Sequence, residues 1–117
     1  GKLYYKLLSK NKNIFIPKPN LGEFKNIYWV VGVLILKKKI FAKEMSKKLN
    51  KVGIQTRPFF YPMNKQKILK KYLKQNKENF KNSNYISQYG LYLPSYFDFK
   101  EKYVYFICKQ VNNFLKY

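Results

Sequence analysis

The sequence predicts an α+β domain in which helices pack on a small, mainly antiparallel sheet. The run Tyr28–Leu36 is β-branched and aromatic without alternating polar residues, which predicts a central strand covered on both faces or lying at a domain interface. Other stretches repeat apolar residues every three to four positions, which is typical of amphipathic helices. Strands and helices alternate irregularly along the chain, and this order favours α+β over a regular α/β fold.

The middle of the chain predicts a helix followed by a chain reversal. Phe41–Val52 has apolar residues on one side and lysines on the other, and Gly53 follows where helices commonly end in a left-handed residue. The chain then returns as a strand, Ile54–Phe60, which we expect to lie beside Tyr28–Leu36. Pro58 has no N–H to donate, so this strand is predicted at an edge of the sheet.

Two short helices and a short strand are predicted next. Ile68–Leu73 and Phe80–Tyr89 have apolar residues at helical spacing, and Gly90 closes the second helix. Leu91–Pro94 is predicted to be extended and to end at its proline.

The last predicted element is a long helix. Asp98 followed by Glu101 resembles a capping box, in which an acidic side chain accepts hydrogen bonds from the first-turn amides. One apolar stripe then continues to the end of the chain, formed by Val104, Ile107, Val111, Phe114 and Leu115. Cys108 lies next to the stripe and is predicted to be a small buried hydrophobe.

The length of 117 residues fits a single domain, for which residues 1–10 are the tail of a connecting helix, 11–27 a linker and 28–117 the core. Hydrophobic residues make up 46%, which excludes a disordered basic tail. The chain begins with glycine rather than methionine, so we expect it to be a piece of a longer protein.

The net charge of +20 points first to a polyanionic partner. However, Arg57 is the only arginine among 25 Lys and Arg residues, and the lysines are spread over the whole length. Proteins that read bases or clamp phosphates favour the planar fork of arginine. We therefore expect the lysines to bind nucleic acid only nonspecifically.

Catalytic and metal-binding patterns are absent from the sequence. There is no histidine, and the five carboxylates are scattered at Glu23, Glu44, Glu78, Asp98 and Glu101. A single cysteine fits a reducing compartment. The apolar run Ile27–Leu36 is about half the length that a membrane helix needs. These features predict a cytoplasmic domain without membrane contact, metal ion or catalytic residues of its own.

The segment Gly53–Asn64, GIQTRPFFYPMN, is the best candidate for a binding site. Arg57 could present its guanidinium to a phosphate or carboxylate, and three following aromatic residues could stack on a base or sugar ring. The alternative is an edge strand whose aromatic side chains fill the core. On the residues alone both interpretations stay open.

Three motifs in order resemble the C-terminal domain of the DegT/DnrJ/EryC1/StrS aminotransferases. They are Tyr28-Trp29 opening an apolar strand, GIQTRPFFYPMN, and Tyr89–Ser95, YGLYLPS, before the final helix. The resemblance spans roughly Leu3 to Leu115, and the TRPFFYPM wording is most similar to the perosamine synthase branch. It implies the small C-terminal domain of a fold-type I aminotransferase that uses pyridoxal phosphate to aminate a keto-sugar nucleotide, with glutamate as the expected donor.

The resemblance also implies what this chain lacks. In the family, the lysine that bonds the cofactor and the other cofactor-binding residues belong to a large N-terminal domain, so we expect this segment to bind no cofactor covalently and to be inactive alone. The full-length enzyme is expected to be a homodimer whose small domain covers the active-site cleft.

The family correspondence makes Arg57, Phe59, Phe60, Tyr61 and Asn64 the candidate substrate-binding residues. Asn64 stands where the family usually has histidine, and an amide keeps a hydrogen bond but does not titrate near neutrality. Two other functions remain as alternatives: a basic nucleic-acid-binding module that stacks bases on the aromatic residues, and a structural dimerisation domain built on the apolar strand.

Overall fold

The computed structural model describes residues 1–37, 39–73 and 80–116. Its helices are α1 (Lys2–Leu8), α2 (Ala42–Asn50), α3 (Lys70–Leu73), α4 (Lys81–Tyr89) and α5 (Glu101–Leu115). Its strands are β1 (Ile14–Phe15), β2 (Asn20–Leu21), β3 (Phe24–Lys25), β4 (Val31–Ile35), β5 (Arg57–Pro58) and β6 (Gly90–Leu93). The predicted α+β class with a small antiparallel sheet and packed helices is confirmed.

The main sheet has four antiparallel strands in the order β1-β4-β6-β5, and β2 and β3 form a separate hairpin. The central position predicted for the first apolar strand is confirmed, since β4 lies between β1 and β6. It is shorter than the predicted Tyr28–Leu36, because Tyr28 has a positive φ of 51° that no extended strand accommodates.

The prediction that the strand Ile54–Phe60 pairs with the strand Tyr28–Leu36 is wrong. β5 does not lie beside β4, because β6 occupies that place and pairs with both: Val31 lies opposite Leu93, and Arg57 opposite Tyr92. The edge position predicted from Pro58 is confirmed. Because Pro58 has no backbone N–H, β5 cannot form a full set of hydrogen bonds with a strand on each side. The apolar β6 has no such gap and can be buried between two neighbouring strands.

Burial in β4 alternates, so one face of the sheet is fully buried and the other is only partly covered. Val31, Val33 and Ile35 are buried, while Gly32 and Leu34 are half-buried. Among residues 1–37, 39–73 and 80–116, no element covers the outer face completely. The alternative, a domain interface on the outer face, stays a prediction.

The core joins the inner face of the sheet to α1, α2 and α5. The apolar stripe of α5 is confirmed: Val104, Ile107, Val111 and Leu115 are buried, Phe114 packs against them, and Cys108 is 2% exposed. Asparagine side chains hold the end of α5, since Asn11 donates to Asn112 at 2.8 Å and Asn13 donates to the carbonyl of Leu115 at 2.8 Å.

The ends of the helices follow the sequence prediction in part. Gly53 has φ +79° after α2, so the left-handed position is confirmed. The capping box at Asp98 is wrong, because Asp98 has φ 60° and α5 begins only at Glu101, with Lys100 at its N-cap and no side-chain cap bond. Gly90 closes α4 as its C-cap, as predicted, and it starts β6 with φ −95°.

The segment after β5 contains two 3-10 turns, Met63–Lys65 and Lys67–Leu69, which lead into α3. Of the helix predicted at Ile68–Leu73, only the last four residues are α-helical, and the side chain of Leu73 lies outside the described residues. Glu78, one of the five carboxylates, also lies outside them. None of the described helices has the length and apolar character needed to cross a membrane.

Candidate functional site

A groove of about 860 Å³ lies at one end of the main sheet. β4 and β5 both run antiparallel to β6, so the starts of β4 and β5 and the end of β6 meet there. Helix α2 contributes the remaining wall. The groove is lined by Trp29, Val30, Ser46, Lys47, Asn50, Gln55, Thr56, Arg57, Pro58, Tyr92, Leu93, Pro94, Ser95 and Tyr96.

The charge of the groove is positive. Arg57 is exposed in β5, and Lys47 faces the same groove from α2. Of the described lining residues these two alone are charged, and no described carboxylate pairs with Arg57. An exposed guanidinium without an acidic partner can bind a phosphate or carboxylate through two parallel hydrogen bonds.

A pair of hydroxyl groups connects α2 to the segment before β5. Thr56 Oγ1 donates to Ser46 Oγ over 2.8 Å, and both residues are half-buried in the groove wall. Since each hydroxyl has one proton and the contact uses one of the two, one proton of the pair stays available for a ligand. Asn50, Gln55 and Ser95 add exposed polar groups to the lining.

Phe59, predicted as a substrate-binding residue, packs on the outer face of the sheet. Its ring lies 4.5 Å from that of Tyr92, centroid to centroid, at an angle of 38°. The ring also covers two glycines: a Cβ built on Gly32 would lie 2.9 Å from Phe59 Cζ, and one on Gly90 2.3 Å from Phe59 Cδ2. Phe59 thereby supports Tyr92 from outside the groove.

Phe60 and Tyr61 are both exposed. The ring of Phe60 meets Tyr92 edge-on, with 6.2 Å between centroids. Neither residue lines the groove. The structure therefore brings Arg57, Phe59 and Phe60 together around Tyr92, whereas Tyr61 lies apart.

Asn64 is separated from Arg57 by the fold. It lies in the 3-10 turn after β5, where its amide donates to Asn84 Oδ1 of α4 over a long 3.4 Å. It is half-buried and does not line the groove. The five sequence-predicted residues thus do not form one cluster.

Sequence reasoning missed several lining residues. Trp29 is 75% exposed and Tyr96 is 66% exposed, an unusual exposure for large aromatic side chains. Tyr92 lies directly opposite Arg57. The sequence held a signal for three of them, because Trp29 belongs to the family motif Tyr28-Trp29, and Tyr92 and Ser95 belong to the family motif Tyr89–Ser95. Ser46 and Lys47 had no signal, since both lie on the polar side of an ordinary amphipathic helix.

The described groove does not fit pyridoxal phosphate as a complete site. Such a site bonds the cofactor to a lysine and places an acidic or basic partner at its pyridine nitrogen. The described lining offers Lys47, Arg57 and hydroxyl groups, but Lys47 and Arg57 are both exposed on an open groove and no carboxylate faces it.

Comparison with known proteins places the chain among the aminotransferases. Residues 1–112 match the model of the DegT/DnrJ/EryC1/StrS aminotransferase family. No curated protein sequence matches the chain.

Solved structures share the fold at low sequence identity. The aminotransferase TlmJ from Streptoalloteichus hindustanus has a TM-score of 0.75 at 16% identity over 94% of this chain and 28% of its own. A putative sugar aminotransferase from Streptococcus pneumoniae, in its PMP form, has a TM-score of 0.76 at 12% identity over 97% and 28%. GDP-4-keto-6-deoxy-D-mannose-3-dehydratase from E. coli, with bound hydrated PLP, has a TM-score of 0.75 at 16% identity over 93% and 28%. The chain thus spans little more than a quarter of the length of each.

Proposed function

Because the chain belongs to the DegT/DnrJ/EryC1/StrS aminotransferase family, we propose that it is the C-terminal small domain of a pyridoxal-phosphate-dependent sugar aminotransferase. A large domain of the whole protein binds the cofactor. The reaction moves an amino group from glutamate to a keto-sugar nucleotide, as in GDP-perosamine formation. The proposed whole enzyme is a cytoplasmic homodimer.

The observation that supports this function most is the position of Arg57 in the groove. A keto-sugar nucleotide has two phosphate groups, and Arg57 offers an exposed cation with no described carboxylate beside it. Charge-assisted bidentate contacts of this kind give both affinity and orientation. Arg57 therefore orients the substrate, while Phe59 supports the wall through Tyr92.

Exposed apolar side chains fit the proposed large domain as a neighbour. Trp29 is 75% exposed, Phe60 is 72% exposed and Phe97 is 90% exposed. Large apolar side chains left exposed to this degree are typical of an interaction site. Phe60, Tyr61 and Asn64 are proposed to act where this surface borders the cleft.

The test is to express the whole polypeptide encoded around residues 1–117 and to measure 2-oxoglutarate formation from glutamate with GDP-4-keto-6-deoxymannose. Loss of one charged hydrogen-bonding group costs about 1.5–3 kcal/mol, so Arg57→Gln should lower kcat/KM by about 10- to 100-fold. Lys109→Gln is the matched control, because Lys109 is exposed on α5 outside the groove.

Two results would contradict the proposal. One is a reading frame that encodes no large domain with a cofactor-binding lysine. The other is a whole polypeptide that transfers no amino group to any member of a panel of keto-sugar nucleotides.

A further inference from the structure

We propose that Tyr28 binds the polypeptide segment that precedes Gly1 in the whole protein, through a hydrogen bond from its hydroxyl to a backbone carbonyl of that segment. This inference rests on the proposed function, in which a large domain precedes residue 1. It makes Tyr28 a positioning residue that holds the small domain in one orientation to the large domain.

The hydroxyl group of Tyr28 is buried without a hydrogen-bond partner. Among the described residues it is the one buried side-chain nitrogen or oxygen for which no partner is found. Burial raises the pKa of Tyr28, and the nearby Tyr5 adds to this shift, so the phenol keeps its proton. A buried donor that stays unsatisfied costs free energy, and native proteins pair nearly all such groups. The hydroxyl therefore indicates an acceptor beyond the described residues.

The backbone of Tyr28 is strained in a way that fits a functional contact. Its φ of 51° is uncommon for a bulky residue and costs conformational energy. The loop maintains this conformation because Asn26 Oδ1 accepts from the Tyr28 N–H at 2.9 Å, and the Asn26 N–H donates to the Pro19 carbonyl at 2.8 Å. These bonds hold the tyrosine in place before β4.

The ring of Tyr28 lies at the start of α1. A Cβ built on Gly1 would overlap Cγ and Cδ1 of the ring, so the ring packs directly on the Gly1 Cα. Consecutive Cα atoms are about 3.8 Å apart, and the residues joined to the Gly1 nitrogen therefore pass within reach of the hydroxyl. Each of them carries a carbonyl oxygen, which is the acceptor that a phenol O–H needs.

The lengths of related chains support this segment as the partner. Residues 1–117 cover 28% of each of the three similar solved structures, so in each of them the same fold belongs to a much longer polypeptide. In the proposed enzyme that polypeptide joins the small domain at the nitrogen of Gly1, beside the Tyr28 ring.

The contact positions the beginning of the main sheet. Trp29 and Val30 follow Tyr28 directly and line the groove beside Arg57. A hydrogen bond from Tyr28 to the preceding segment therefore fixes this part of the groove relative to the large domain.

The experiment is hydrogen–deuterium exchange of the whole polypeptide encoded around residues 1–117, followed by mass spectrometry. Tyr28→Phe removes the hydroxyl and keeps the ring. Loss of one hydrogen bond should speed amide exchange by about 3- to 10-fold in the segment that runs from the residues before Gly1 to Leu8. Tyr105→Phe is the matched control, because Tyr105 is 51% exposed on α5, and it should change this exchange less than twofold.

Urea unfolding of the 117-residue chain gives the contrasting comparison. The hydroxyl has no partner there, so Tyr28→Phe should leave the midpoint unchanged or raise it. Tyr4→Phe should lower the midpoint, because it removes the hydrogen bond from Tyr4 to the Pro94 carbonyl. If the chain does not fold alone, exchange in the whole polypeptide decides.

Exchange that Tyr28→Phe leaves within twofold in the whole polypeptide would overturn the inference. A lower midpoint for Tyr28→Phe in the 117-residue chain would overturn it as well, because the hydroxyl would then be satisfied by water or by a residue of this chain. Gly1→Ala is a second variant: its methyl group overlaps the Tyr28 ring and should also speed exchange in the preceding segment.

The two proposals fail in different ways. A whole enzyme that transfers amino groups, but whose exchange ignores Tyr28→Phe, would keep the proposed function and reject this contact. Faster exchange in the Tyr28→Phe variant of a protein without aminotransferase activity would reject the function and keep the contact.

Discussion

At the scale of single residues, Phe59 links the binding motif to the sheet. Its ring covers Gly32 and Gly90 and stacks against Tyr92, whose other neighbour is Phe60. An aromatic ring can lie this close to two strands only where both backbones lack a Cβ. Glycine is therefore needed at position 90 because the Phe59 ring lies against its Cα, whereas Gly53 is needed for a left-handed backbone conformation.

Gly90→Ala is expected to destabilise the chain by about 2 kcal/mol, because a new methyl group in a packed site forces its neighbours to shift. The added Cβ would lie 2.3 Å from Phe59 Cδ2 and 2.5 Å from the Ile86 carbonyl oxygen. Urea unfolding followed by circular dichroism measures the loss. Combining Gly90→Ala with Phe59→Leu should recover only part of it, because the Ile86 carbonyl remains.

The control is Ser83→Ala, an exposed change on α4 that should alter the free energy of unfolding by less than about 0.5 kcal/mol. If Gly90→Ala costs no more than this control, the ring of Phe59 moves aside freely and does not hold the groove wall.

At the scale of elements, α5 is the helix on which the core depends. Its buried side chains face the sheet, and its partner α1 is tied to the end of β6 because the Tyr4 hydroxyl donates to the Pro94 carbonyl over 2.9 Å. Burial raises the pKa of Tyr4 above its usual value, and the neighbouring Cys108 adds to this shift. The surroundings of Tyr4 at this junction thus favour its uncharged phenol over the phenolate.

Cys108 makes the free energy of unfolding of the chain depend on pH. Burial raises the pKa of its thiol from 9.0 to about 12, so the folded chain keeps the proton when the unfolded chain has lost it. This contribution is fully present below about pH 9 and is lost as the pH rises towards about 12. We expect the free energy of unfolding to fall by up to about 1.4 kcal/mol per pH unit in that window.

The measurement is urea unfolding at a series of pH values from neutral to alkaline, with Cys108→Ala as the reference. The variant is less stable at neutral pH because it loses packing, but its stability should fall less steeply above about pH 9. If the free energy of unfolding falls equally steeply with pH in the two proteins, Cys108 ionises in the folded state as easily as in the unfolded state.

At the scale of the whole molecule, the net charge of +20 acts over the entire surface. We expect the chain to bind single-stranded DNA at low salt and to lose that binding at moderate salt, because lysines dispersed over a surface act mainly through counterion release. Fluorescence anisotropy against salt concentration measures this loss.

In this assay Arg57→Gln should weaken DNA binding no more than Lys109→Gln does. DNA binding that persists at physiological salt and depends on Arg57 would instead support the nucleic-acid-binding module. Phe59 counts against that alternative, since its ring is half-buried against Tyr92 and is not free to stack on a base.

The sequence by itself determined some of the local elements of this protein and its family motifs. Periodicity predicts α2 and α5, the left-handed Gly53 and the buried stripe that includes Cys108, because these features depend on residues within one or two helical turns. The edge position of β5 follows likewise from the missing N–H of Pro58.

Only the tertiary structure decided which strands pair and which side chains share a groove. β6 separates β4 from β5, and the groove joins Trp29, Ser46, Arg57 and Tyr96 from four separate segments. The order of the strands and the set of side chains that line one groove depend on the free energy of contacts between distant parts of the chain. A local sequence pattern does not predict these contacts. For this reason Arg57 and Asn64, seven positions apart in one motif, lie in different surroundings.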